Sequence, residues 1–183
     1  MEIAQGQKDV RETFLGGFAG QLVSGAIWLA SSIACTWYSF RLGELIAICG
    51  GFLIFPLTQL LLRSMGHAYA LPKGHPMNGL AMQVAFTAGL TLPVVLAVAV
   101  LQPRLFYPAL MITVGAHYLP FVFLYGMWQF GALSAVLTSA GVLLGLYGSR
   151  YPSAGAWFTA IVLIAFAFVG RHAAGGGRRR QTR

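Results

Sequence analysis

Residues 80–101 read LAMQVAFTAGLTLPVVLAVAVL, and this stretch decides the fold. It contains no charged residue, and its apolar positions do not alternate with polar ones. A helix needs about 20 mostly apolar residues to cross the hydrocarbon core of a bilayer. A membrane barrel strand instead alternates apolar and polar side chains over about 10 residues. Leu80–Leu101 is therefore read as a membrane-spanning helix. Outward from it, five further runs fit the same description: Phe14–Trp37, Glu44–Leu62, Phe106–Leu124, Phe130–Tyr147 and Ala154–Val169. The expected fold is all-α, a polytopic membrane protein built as a bundle of six transmembrane helices. Residues 1–13 form a polar N-terminal segment, 14–170 the transmembrane domain, and 171–183 a basic C-terminal tail expected to be disordered.

Composition points the same way. The chain is 57% hydrophobic and only 9% charged, with a mean hydropathy of +0.72. Ordinary soluble domains carry about 25% charged residues, so a soluble fold of this chain would have too few to cover its surface. The acids are Glu2, Asp9, Glu12 and Glu44, and none follows Glu44. That absence removes carboxylate proton relays, acidic cation filters and dicarboxylate metal sites from the last five helices, except at the outer rim beside Glu44. The net charge of +8 does not indicate nucleic-acid binding. Its Lys and Arg lie between and after the apolar runs, where membrane topology places them.

The same charges predict orientation. Lys8, Arg11, Arg63, Lys73, Arg171, Arg178, Arg179, Arg180 and Arg183 fall on one side, and only Arg41, Arg104 and Arg150 on the other. Both termini are expected in the cytoplasm of a cell whose inner (plasma) membrane holds the protein. The arginine-rich tail is expected to meet anionic lipid. Trp37, Tyr38, Tyr107, Tyr147, Tyr151 and Trp157 should mark the outer interface, and Tyr69, Tyr125 and Trp128 the inner one, with Trp28 in the core. The connection from Arg63 to Asn78 holds Gly66, Pro72, Gly74 and Pro76 and should be irregular.

Candidate functional residues are few. Gly16, Gly20 and Ser24 recur every four residues, which allows close helix approach within the chain or in a homo-oligomer. His117 lies about 16 Å from the outer end of the fourth span at 1.5 Å per residue. It is the ionisable side chain nearest the bilayer centre, and such groups usually face a bundle interior. Tyr118 follows it, and Pro120 should free a backbone carbonyl one turn back. Gln21, Gln59, Gln83 and His117 all fall in the cytoplasmic halves of their helices. With Tyr118 they are expected to line a polar, uncharged cavity open to the cytoplasm and able to bind a ligand. Cys35 and Cys49 form no C-x-x-C pair and are read as thiols. No metal-ligand spacing, cofactor motif or nucleophile elbow is present.

Several short stretches carry a resemblance: Gly16-Gly17-x-x-Gly20 and Ser24-Gly25-x-x-Trp28 on the first helix, and Gly50-Gly51-x-x-Ile54-Phe55-Pro56 on the second. On the fourth they are Tyr107-Pro108-Ala109-Leu110, Gly115-x-His117-Tyr118-Leu119 and Leu124-Tyr125-Gly126. Over about the first five helices, the chain resembles an uncharacterised bacterial family of small multi-pass membrane proteins, a domain of unknown function. Such sequences tend to carry Arg where this one has His117, which implies a tolerant polar position. The resemblance implies an integral membrane protein and supplies no activity. Three functional readings follow from the residues: binding or transport of a small molecule or ion, an intramembrane enzyme using His117 and Tyr118 on an apolar substrate, and an accessory subunit.

Overall fold

The computed structural model describes residues 2–148 and 151–180, with side chains described as far as residue 175. The elements are α1 (Ile3–Thr13), α2 (Phe18–Trp37), α3 (Phe40–Ser64), α4 (Met77–Leu101), α5 (Phe106–Tyr118), α6 (Phe121–Tyr125), α7 (Gln129–Tyr147) and α8 (Ala154–Arg180). Short 3-10 turns at Leu15–Gly17 and Pro103–Leu105 lead into α2 and α5. Six stretches are long and apolar enough to cross a membrane: Leu15–Trp37, Phe40–Ser64, Met77–Leu101, Pro103–Tyr125, Gln129–Tyr147 and Ala154–Gly175. The six expected spans are all present. Residues 171–175, expected to begin the tail, continue α8 as helix. Of the cations used for topology, Arg150 and Arg183 lie outside the described residues.

The helix ends follow from local chemistry. Ser39 is extended, and its hydroxyl accepts from the Leu42 N–H at 3.1 Å, which caps α3. Gly126 ends α6 at φ +61°, a left-handed position that suits glycine. Ser64 and Met77 are joined by an irregular connection turning at Gly66 and Gly74, and within it the Arg63 guanidinium sits 3.9 Å over the Tyr69 ring.

The N-terminal segment is more ordered than its polarity predicts. It forms α1, which buries Gly6 and Val10. Leu15, Gly16 and Gly17 all take positive φ, and this turn folds α1 back onto α6 and the start of α4. Gln7 Nε2 donates to the Phe123 carbonyl and Arg11 to the Tyr125 carbonyl, each at 2.6 Å. Asp9 meets His75 at 3.2 Å.

α2 and α8 run antiparallel in contact along their lengths. Gly16 touches Gly170 at one end. At the other, Trp37 packs edge-on to Trp157 at 5.8 Å, and Trp157 Nε1 donates to Thr36 Oγ1 at 3.0 Å. Both ends of the described chain therefore lie on one face of the bundle, the terminal face.

Packing runs in the order α4, α5, α7, α8, α2, α3, and no packed interface joins α3 to α4. The hydrophobic windows of these two outer helices are each only 11% buried, against 50% for α2. The bundle is thus an arc with a gap between its first and last members.

Two aromatic expectations are corrected. Tyr107 and Tyr125 are buried in the core instead of marking the interfaces. The Tyr107 hydroxyl lies 2.9 Å from Ser31 Oγ, which donates to the Gly43 carbonyl at 2.8 Å, so one polar node ties α5 to α2 and α3. Trp28 is in the core as expected.

Candidate functional site

The gap between the two ends of the arc encloses a cavity of about 520 Å³. Its walls are single helix faces bearing small side chains. On α4, Asn78, Ala81, Ala85, Ala88 and Leu92 recur at three- and four-residue spacing. On α3, Ala47, Gly51, Phe55, Thr58 and Leu62 do the same. Gly20, Gln21, Ser24 and Trp28 line it from α2, and Leu110, Val114, His117 and Tyr118 from α5. Alanines and glycines cannot fill the space between two helices that share no packed interface. A Cβ added at Gly51 or Gly89 would meet nothing within 4 Å.

Four of the five expected site residues line this one cavity: Gln21, Gln59, His117 and Tyr118. Gln83 does not. It follows Met82 on α4, a turn of about 100° per residue carries it off the lining face, and it is exposed.

Among the described residues the lining contains no Asp, Glu, Lys or Arg. It is otherwise less polar than expected, with most of the wall apolar. Its polar residues gather toward the terminal face: Gln21 and Ser24 early on α2, Thr58 and Gln59 late on α3, Asn78 at the start of α4, and His117 and Tyr118 at the end of α5. Beyond them the wall is Ile27, Trp28, Ala47, Ile48, Leu92 and Leu110. Sequence reasoning missed Thr58, because a threonine inside an apolar run is unremarkable until its neighbours are known.

Hydrogen bonding within this polar end is incomplete. Tyr118 lies beside Ser24 across the cavity wall, and His117 beside the backbone of Val84 on α4. Three buried lining atoms have no partner among the described residues: Gln21 Oε1, Thr58 Oγ1 and His117 Nδ1. Gln129 Oε1 and Thr159 Oγ1 share that condition away from the cavity. A buried polar atom left unpaired costs about 1–3 kcal/mol; these three belong to residues of the cavity wall, and Gln21 Oε1 lies on the side of Gly170 on α8.

An aromatic cluster closes the terminal end. Tyr118, Phe121, Tyr125 and Phe130 lie in mutual contact, with the Tyr125 and Phe130 ring centroids 4.8 Å apart. α1 is hydrogen-bonded beneath them through Gln7 and Arg11. Laterally the cavity is less guarded. Phe52 and Phe55 on α3, and Met82 and Phe86 on α4, line it and are also exposed on the apolar surface. The opening is expected toward the terminal face; the aromatic cluster closes that end, and the gap lies sideways between α3 and α4.

The break at Pro120 separates α5 from α6, as expected, but the Ala116 carbonyl one turn back is not left free. It accepts from the Leu119 N–H at 3.2 Å. The Gly16, Gly20 and Ser24 stripe points into the molecule, at Gly170, at Thr58 and at the cavity. Cys35 and Cys49 are both free thiols, Cys35 partly buried and Cys49 exposed.

A family model matches residues 3–171, which includes α1, the first five spans and most of the sixth. The chain belongs to DUF7010, a family of unknown function. No curated protein and no solved structure matches it. The match extends the resemblance from the first five helices into the sixth. In this DUF7010 chain the cavity-lining helices and the closing helix α1 all fall inside the matched region.

Proposed function

We propose that this multi-pass membrane protein binds a small, uncharged molecule in the cavity between α2–α3 and α4–α5, and passes it across or along the membrane. One observation carries the reading: the polar side chains of Gln21, Ser24, Thr58, Gln59, Asn78 and His117 gather at one end of an otherwise apolar cavity. The volume of about 520 Å³ falls in the range that holds small organic ligands. A lining without Asp, Glu, Lys or Arg argues against an ion, because no full countercharge there would offset its lost hydration. The bias of Lys and Arg toward the terminal face supports a cytoplasmic terminal face and residence in the inner (plasma) membrane.

The test is ligand-dependent stability of the purified, full-length protein. Neutral alcohols, amides and polyols are titrated while unfolding is followed. A true ligand present at 100 times its Kd adds about 2.7 kcal/mol to the stability. That gain should shrink at least tenfold in Kd when Gln21 and His117 are both replaced by Leu. A ligand response undiminished in that folded variant would place the site elsewhere and end this reading.

A further inference from the structure

The cavity's shape and polarity narrow the ligand further. Along α4, its lining runs from Asn78 to Leu92, about 21 Å at 1.5 Å per residue. A bilayer's hydrocarbon core is about 30 Å thick, so the slot starts near the terminal face and passes the midplane. Polar lining atoms occupy the terminal end, and aliphatic and aromatic side chains the rest. A small water-soluble molecule would fill the polar end and leave the apolar slot empty.

The opening is lateral. α3 and α4 do not pack together, and the residues at the gap, Phe52, Phe55, Met82 and Phe86, are both lining and exposed. Gly51 and Gly89 lie at matching depth on the two helices, about 20 and 18 Å from their terminal-face ends, and both look onto open space. They hold the slot open at mid-membrane. Pro56 and Pro93 add to this, since neither has an N–H to give the carbonyls of Phe52 and Gly89 four residues back.

The polar end also selects a headgroup. Gln21 is nine-tenths buried or more, and its Oε1 has no partner; Thr58 Oγ1 and His117 Nδ1 also lack one. No charged side chain lines the space. A phosphate or carboxylate would find no countercharge and would lose its hydration. Hydroxyls both donate and accept without carrying charge, so a headgroup with more than one of them suits a wall of amide, hydroxyl and imidazole side chains.

We propose that the cavity holds one neutral, hydroxyl-bearing, single-chain lipid of the monoacylglycerol type. Its headgroup sits at Gln21, Thr58 and His117, its chain lies past Gly51 and Gly89, and it enters from the bilayer between α3 and α4. This rests on the cavity being a ligand site and adds the class of ligand and its route.

The test uses full-length, delipidated protein in amphipol, offered equimolar 1-oleoylglycerol, oleate and a lysophosphatidylcholine, with bound lipid counted by native mass spectrometry. One 1-oleoylglycerol per chain is expected, with oleate and the lysophospholipid at least tenfold lower. Gly51→Leu with Gly89→Leu fills open space and should fold, yet should lose the lipid at least tenfold. Gln21→Leu with His117→Leu should keep a bound chain while losing the preference for 1-oleoylglycerol. Equal retention of all three lipids by the wild type, retention undiminished in the Gly51/Gly89 variant, or a dimer without lipid would each overturn the proposal. If no lipid is retained but a soluble neutral solute still stabilises the protein through Gln21 and His117, this inference fails and the broader reading stands. If neither occurs, both fail.

Discussion

Gly16 and Gly170 meet backbone to backbone: a Cβ on Gly16 would lie 2.6 Å from the Gly170 carbonyl oxygen, and one on Gly170 2.7 Å from that of Gly16. This contact fixes the start of α2 against the end of the last span. Gly16 also carries φ +63°, a conformation that side chains resist. Gly16→Ala is expected to destabilise the protein by about 2–4 kcal/mol, combining left-handed strain with a clash against backbone that cannot move aside. Gly175→Ala, where a Cβ would meet nothing within 4 Å, is the neutral control. Thermal unfolding in one detergent compares the two; equal midpoints would show that the contact does not matter.

Tyr107 is fully buried and reaches Ser31 at 2.9 Å, joining α5 to α2 where those helices otherwise frame the cavity. Tyr107→Phe keeps the ring and removes the hydroxyl. A loss of about 0.5–1.5 kcal/mol is expected, typical of a hydrogen bond between membrane helices. A double-mutant cycle with Ser31→Ala isolates the pair, and a coupling energy of zero would contradict the assignment.

Arg11 donates to the Tyr125 carbonyl at 2.6 Å and so holds α1 against α6. Arg11→Ala should release α1 while leaving the six spans folded. Amide hydrogen exchange should accelerate at least tenfold in residues 3–13 and little elsewhere. Uniform acceleration through α2 and α8 would mean that α1 is part of the global folding unit.

Gln21 and Thr58 line the cavity, and each holds a buried polar atom with no partner among the described residues. Replacing both, Gln21→Met and Thr58→Val, removes buried groups without partners and preserves much of the volume. The variant is expected to be as stable as the wild type or more so, by about 1–2 kcal/mol, while losing ligand affinity. A markedly less stable variant would show that these side chains serve packing, and that their unpaired state has no bearing on a ligand.

Parts of this site are legible in the sequence. Gln21, Gln59, His117 and Tyr118 can be grouped by residue counting because each lies in the half of its span nearest the terminal face, and depth follows from a fixed rise per residue. Gln83 shares that depth and still points away, because depth says nothing about rotation around the helix axis. Tyr107 and Tyr125 occupy belt positions in the sequence, yet the structure buries them, since an aromatic near a helix end can turn inward as readily as outward. Thr58 carries no sequence signal of its own, and its role comes from facing Gln21 and His117.

By itself the sequence determined six helices across a bilayer. Run length and the lack of charged residues within the runs are read directly by the transfer of a helix into lipid, whatever that helix later touches. Only the tertiary structure decided which faces meet. Lipid tails are as apolar as the side chains of a neighbouring helix, so hydropathy cannot distinguish a surface packed on protein from one facing lipid. The arc order, the unpacked gap between α3 and α4, and the slot kept open by Gly51 and Gly89 depend on close packing among the other helices. That packing is a matter of shape, which composition and periodicity do not encode.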